Sequence, residues 1–157
     1  MIKKIILWIA VLGLSVQIFG FSGATASESG NTSKRISTIV FQVVKEIVPI
    51  APEVEEDAFF LCDKIIRKMA HFTEFMLLSM CTLLLSRSYR LRLKNSALIA
   101  GVYGLFYAIA DETHQLFVPG RSGEVLDVCI DFLGVLTGIV LVSCMILVYR
   151  KKKDCDE

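Results

Sequence analysis

An excess of charge of one sign is the first thing this chain lacks. Its 17 Lys and Arg nearly cancel its 16 Asp and Glu, leaving a formal net charge of +1. That balance argues against the basic footprint that would neutralise a phosphate backbone, so nucleic acid is not an expected partner. A disulfide framework is missing as well. The 5 cysteines fit neither a paired scaffold nor a zinc spacing. Cys81, Cys129 and Cys144 fall in apolar runs, Cys155 lies in a basic tail, and Cys62 has no partner in its own segment. They read as small buried hydrophobes. Internal repeats and extended low-complexity tracts are also absent, so a single domain over 1–157 is expected.

What is present is apolar: 54% of residues are hydrophobic and the mean hydropathy is +0.61. A spanning helix needs about 20 mostly apolar residues. Four runs qualify: Ile5 to Phe21, Met69 to Leu85, Ala97 to Val118 and Val125 to Tyr149. The fold class expected is an all-α integral membrane bundle with four transmembrane helices. The first run has two readings. Lys3-Lys4 and Ala24-Thr25-Ala26 are the charged start and cleavage site of a signal peptide cut after Ala26; alternatively, the run stays as an anchor.

Short basic segments set the orientation. Arg87, Arg90, Arg92 and Lys94 lie between runs two and three, "RKKK" follows Tyr149, and Lys3-Lys4 precede the first run. Positive-inside places all of them, and both termini, in the cytoplasm. The loop 22–68 and the segment between runs three and four then face outward. The front of that loop, "SGATASESGNTSK", is small and polar and reads as mobile. Behind it, Ile36, Ile39, Val40, Val43, Val44 and Ile47 recur at helical spacing, until Pro49 and Pro52 end the pattern. This predicts an extracytoplasmic amphipathic helix, lying on the outer interface or on the other spans.

Ionisable residues at membrane depth face the bundle interior or a water-filled cavity. In run two, Lys68, His71, Glu74 and Phe75 share a face; in run three, Asp111, His114 and Gln115 do, with Glu112 beside them. In run four, Asp127, Asp131, Gly134 and Gly138 form a narrow stripe at about 100° per residue. Its glycines admit a close neighbour. Pro119-Gly120 makes the turn, and Arg121 joins the cluster either as an anion clamp or as counter-ion to Asp127. These stripes meet at one level, as the rim and wall of a pocket opening outward. Glu74, Asp111, Glu112, Asp127 and Asp131 give −5, and Lys68 and Arg121 give +2, so the pocket is −3 with neutral histidines. Glu124 is left out as exposed in the turn. Carboxylates in such excess require protonation, a charged histidine or a bound cation.

At these residues the sequence resembles the VanZ-like membrane protein family. "RKMAHFTEFMLLSM" contains Lys68-x-x-His71-Phe72-x-Glu74, with Phe75 where tyrosine is frequent. "YAIADETHQLFVPGRSGEVLDVCIDFLGVLTG" carries Asp111-Glu112-x-His114-Gln115, Phe117-x-Pro119-x-Arg121 and Asp127-Val128; Asp131 stands where many relatives have asparagine. "FGFSGATASESGNTSKRIS" resembles the serine-rich segment after the family's first span, which favours an anchor. The resemblance implies a bacterial plasma membrane and a context of low-level resistance to the glycopeptide teicoplanin. It implies no particular reaction.

Three functions compete. The candidate catalytic set His71, Glu74, Asp111, Glu112, His114 and Asp127, with Lys68, Gln115, Arg121 and Asp131 as binding residues, suits acid–base chemistry on a lipid-linked or cell-wall precursor at the outer leaflet. Arg121-x5-Asp127-x3-Asp131 echoes the end of type 2 phosphatidic acid phosphatases, but with aspartate at the nucleophilic histidine and no Pro-Ser-Gly-His segment. Carboxylates and imidazole suit several divalent ions, yet no metal-ligand motif is clear and no cofactor follows. The second function is a non-enzymatic binder or small transporter, and the third a scaffold whose polar core fixes helix packing. In all three the lipid bilayer is a partner.

Overall fold

The computed structural model describes residues 1–23, 26–119 and 123–156. Along the chain run α1 (Ile2–Gly23), α2 (Ala26–Ile47), one 3-10 turn (Pro52–Val54), α3 (Glu55–Ser88), α4 (Leu93–Gln115) and α5 (Val125–Asp156), with no strand among the described residues. Four of these helices are long and apolar enough to cross a membrane: α1, α3, α4 and α5. Helices answer the central demand of a bilayer, where every backbone N–H and C=O must be satisfied within the segment.

The second spanning helix is far longer than its apolar run. Hydropathy places its start at Met69, but α3 begins at Glu55 and has 34 residues. That is about 51 Å at 1.5 Å per residue, against about 30 Å of hydrocarbon. The added turns are amphipathic rather than apolar, so a hydropathy window passes over them. No proline or glycine interrupts them, and Glu55, Glu56 and Asp57 in the first turn complement the helix dipole.

α2 packs on this projecting part. Ser37 Oγ donates to Asp63 Oδ1 at 2.6 Å, while Arg67 Nη2 lies 2.9 Å from Asp63 Oδ2. Phe41 meets Phe59 edge to face at 5.4 Å, and Lys45 pairs with Glu55 at 2.6 Å. The polar stretch expected to be mobile is instead the first half of this helix, from Ala26. The stripe buried against α3 is Ser37 and Phe41; Ile36, Ile39, Val43 and Ile47 remain exposed. Of the two placements the sequence allows for this helix, lying on another span is the one seen: α2 packs on α3 through Ser37 and Phe41, and most of its apolar stripe stays exposed.

α3 is the hub, in contact with α1, α2, α4 and α5. Its closest neighbour is α5, and glycine makes the approach possible. A Cβ on Gly134 would collide with the backbone carbonyl of Phe72, and one on Gly138 with the Met76 carbonyl and Ser79 Oγ. On the other flank, a Cβ on Gly104 of α4 would fall 2.6 Å from a Val135 methyl. Ile18, Phe75, Leu78, Ala108 and Val135 form the main core, and Leu83, Ala100 and Val142 a second cluster. Outward, α1 shows Ile9, Leu12 and Val16, α4 Leu98, Val102 and Phe106, and α5 Leu133 and Val140. Such faces suit lipid.

The start of α1 lies beside the α3–α4 turn: Trp8 Nε1 donates to Tyr89 OH at 3.1 Å and Lys4 Nζ sits 4.2 Å above the Tyr89 ring. Arg90 in that turn adopts φ 62°, and Arg87 donates to the Leu91 carbonyl. The cysteine expectation needs correction. Cys129 and Cys144 are exposed on α5, and Cys62 and Cys81 are half-buried; all four are free thiols. A thiol is apolar enough for a lipid-facing surface, so an apolar run does not imply burial.

The glycine contacts give a signed prediction. Gly138→Ala and Gly134→Ala should each destabilise the bundle by about 1–3 kcal/mol through overpacking. Gly13→Ala, where a Cβ meets nothing within 4 Å, should instead stabilise by up to about 1 kcal/mol from helix propensity. Unfolding in detergent checks both; equal stability of Gly138→Ala and wild type contradicts the close approach.

Candidate functional site

The polar residues singled out in the sequence gather at the end of the bundle that carries the α4–α5 connection. Burying them in an apolar bundle is tolerable only if they face one another. Three helices meet that demand at the centre of the cluster. One nitrogen of His71 on α3 and one carboxylate oxygen each of Asp111 on α4 and Asp131 on α5 lie within 4.8 Å of one another. Asp111 and Asp131 are buried, at 1% and 3% exposure, and His71 is half-buried. Among the described residues, these three form the group whose ligand atoms lie close enough together to hold a metal ion. Gln115, one turn along from Asp111, donates to Asp111 Oδ2 at 3.1 Å. Oδ1 of Asp111 is buried with no hydrogen-bond partner, as is Oε2 of Glu112.

A second group flanks the centre. Lys68 forms an ion pair with Asp127, and its Nζ lies 3.8 Å from Glu124 Oε2. The backbone N–H of Glu124 donates to Glu112 Oε1 at 2.6 Å. Glu124 therefore belongs to the site, although its side chain stays 42% exposed, the ground on which the sequence leaves it out of the cluster. Proximity in sequence to a glycine-rich turn hid it; what could have revealed it is its place just before the first turn of α5, within reach of Lys68.

A third group turns toward α1. Gln17 Nε2 donates to Glu74 Oε1 at 3.2 Å. His114 stacks on Phe19, with centroids 4.1 Å apart and planes 14° from parallel. A Cβ on Gly23 would sit only 3.1 Å from His114 Cε1. Deeper along the same contact, the hydroxyls of Ser15 and Tyr103 lie 2.9 Å apart and Tyr107 OH donates to the Ser15 carbonyl. Sequence reasoning left out α1 altogether. Its signal was Ser15 and Gln17, the polar residues within an otherwise apolar run.

The expected set is thus brought together as one band, but in three parts: Lys68, Glu112 and Asp127; His71, Asp111, Gln115 and Asp131; Glu74 and His114. Arg121 and Gly120 lie outside the described residues. The carboxylates of Asp111, Glu112, Asp127 and Glu74 are all near enough to repel that of Asp131. Two grooves on the described surface lie elsewhere. One of about 400 Å³ is lined by Cys144, Met145 and Val148, and one of about 560 Å³ by Phe41, Gln42 and Phe59.

An all-helical bundle with four apolar helices and inward-facing ionisable groups defines a multi-pass membrane protein. The sequence matches the VanZ/LLP1 family over residues 5–148, nearly the whole chain, and the chain belongs to that family. No curated protein and no solved structure matches it.

The flanking ion pair can be tested by a double-mutant cycle. Lys68→Met, which strands Asp127, should cost about 1.5–3 kcal/mol, the worth of a charged hydrogen bond. Lys68→Met combined with Asp127→Leu should cost less than the two single changes summed, by about 0.5–3 kcal/mol. Additive losses in detergent unfolding would show that the two side chains do not interact.

Proposed function

We propose that this chain is a multi-pass protein of a bacterial plasma membrane whose polar site faces outward and acts on a lipid-linked or cell-wall precursor at the outer leaflet. One observation carries the reading. Six carboxylates, Glu74, Asp111, Glu112, Glu124, Asp127 and Asp131, gather in one cluster, in which Lys68 pairs with two of them, Asp127 and Glu124. A core built only for helix packing balances its charges; this one leaves carboxylates for a proton, a cation or a substrate.

Orientation supports the outward placement. Arg87, Arg90, Arg92 and Lys94 lie at the α3–α4 turn, next to the start of α1. Positive-inside puts that end in the cytoplasm and the carboxylates at the other. The exposed stripe of α2 then lies on the outer interface. α1 stays as an anchor, since it supplies the partners of Glu74 and His114. Resistance of the teicoplanin type is a phenotype that altered envelope precursors would produce. Acid–base chemistry and capture of a ligand both use this site, and the appearance of a product separates them. The Lys68–Asp127 pair and the Glu124–Glu112 bond favour a second reading, a scaffold whose polar contacts only hold α3, α4 and α5 in register.

Two measurements check the proposal. In a cysteine-free background, Gly30→Cys should react with an impermeant thiol reagent in intact cells and Arg90→Cys should not; the reverse pattern overturns the orientation. His71→Gln and Asp127→Asn should accumulate in the membrane yet lose most of the envelope phenotype per folded molecule. Activity that falls only in step with folding supports the scaffold, and full activity in both variants removes the chemical role.

A further inference from the structure

The centre of the cluster carries one more step. His71, Asp111 and Asp131 come from three different helices, and each offers one ligand atom within 4.8 Å of the other two. Ligands on one ion with bonds of about 2.2 Å lie no more than about 4.4 Å apart, so small side-chain rotations close the set. Two carboxylates and one imidazole match a first-row divalent ion in both charge and donor type.

A second observation is independent of that proximity. Asp111 is 1% exposed, and its Oδ1 is buried with no hydrogen-bond partner. A carboxylate oxygen left without a partner in an apolar interior is costly. Lys68 is committed elsewhere, to Asp127 and Glu124. Gln115, holding the other oxygen of Asp111, stands where an outer-shell group orients a ligating carboxylate.

We infer that His71, Asp111 and Asp131 bind one first-row divalent cation, of the Mn²⁺, Fe²⁺ or Zn²⁺ class, between α3, α4 and α5. The ion neutralises the two buried carboxylates and ties together three helices. Its remaining coordination positions are open to water or to an anionic oxygen of a ligand. The inference goes beyond the envelope reading and does not rest on it, because ion binding is read on the purified chain without any substrate.

The test uses the full chain in detergent, stripped with a chelator and dialysed against Mn²⁺ alone and, separately, Zn²⁺ alone. One ion per chain is expected for wild type with at least one of the two. Affinity should fall more than tenfold in Asp111→Asn and in Asp131→Asn, and about 10–100-fold in Gln115→Leu if it is an outer-shell support. No stoichiometric uptake of either ion by wild type overturns the site. So does wild-type affinity in both aspartate variants, which would locate binding elsewhere, at Glu112, Glu124 and Asp127 for example. If those variants do not fold, X-ray absorption of the loaded wild-type chain decides. A shell of one imidazole nitrogen with carboxylate oxygens supports the site; an all-oxygen shell, or one containing sulfur, refutes it. An imidazolium of His71 that bridges the two carboxylates would leave the chain metal-free, and so counts among the refuting results.

Discussion

A charged side chain at membrane depth is costly, up to about 2.5–3.5 kcal/mol at the centre of a bilayer helix on insertion scales, and this chain carries several toward one end of its spans. The cost is bearable only where the groups face one another, and that requirement fixes the rotation of each helix. α3 must turn Lys68 and His71 inward, α4 Asp111 and Glu112, and α5 Asp127 and Asp131. Once those faces are chosen, the opposite faces follow. Phe106 on α4 and Leu133 on α5 are left exposed, toward lipid. The charged cluster and the lipid-facing surface are thus two consequences of one constraint.

Packing converts that rotation into distance. α5 lies against α3 closely enough that no Cβ fits at Gly134 or Gly138. These glycines follow Asp127 and Asp131 on the same stripe, so the contact that glycine permits below draws the aspartates against Lys68 and His71 above. α1 closes the remaining side through Gln17, Phe19 and the Ser15–tyrosine bonds. The core residues Phe75 and Val135, both fully buried, lie just beneath the cluster and exclude lipid from its floor.

Much of this was legible in the sequence. The four apolar runs, the inward aspartate–glycine stripe and the polar faces of three helices follow from spacing at 3.6 residues per turn, but spacing did not single out His71, Asp111 and Asp131 as a trio. What was not legible is equally specific. The first turns of α3 mix charge with apolar residues and the first half of α2 is nearly all polar; both are helical, yet hydropathy registers neither. Glu124 was set aside because its role comes from a fold-back that places its N–H on Glu112, a tertiary event with no periodic trace. Gln17 was passed over because one amide in an apolar run gives no pattern. Cys129 and Cys144 were read as buried because an apolar run in a membrane chain can face either core or lipid, and composition does not distinguish the two. The family resemblance read from the lysine–histidine and aspartate–histidine pieces agrees with the VanZ/LLP1 match over residues 5–148.

The central claim is that α3, α4 and α5 bring His71, Asp111 and Asp131 to one point. Proximity in native membranes tests it most directly. In a cysteine-free chain, the pairs His71→Cys with Asp131→Cys, and Asp111→Cys with Asp131→Cys, should be joined by a short bis-methanethiosulfonate reagent. The pair Thr73→Cys with Leu133→Cys, both exposed positions, should not. Cross-linking confined to the Thr73 and Leu133 pair would mean that the helices are rotated the other way, and would contradict the account.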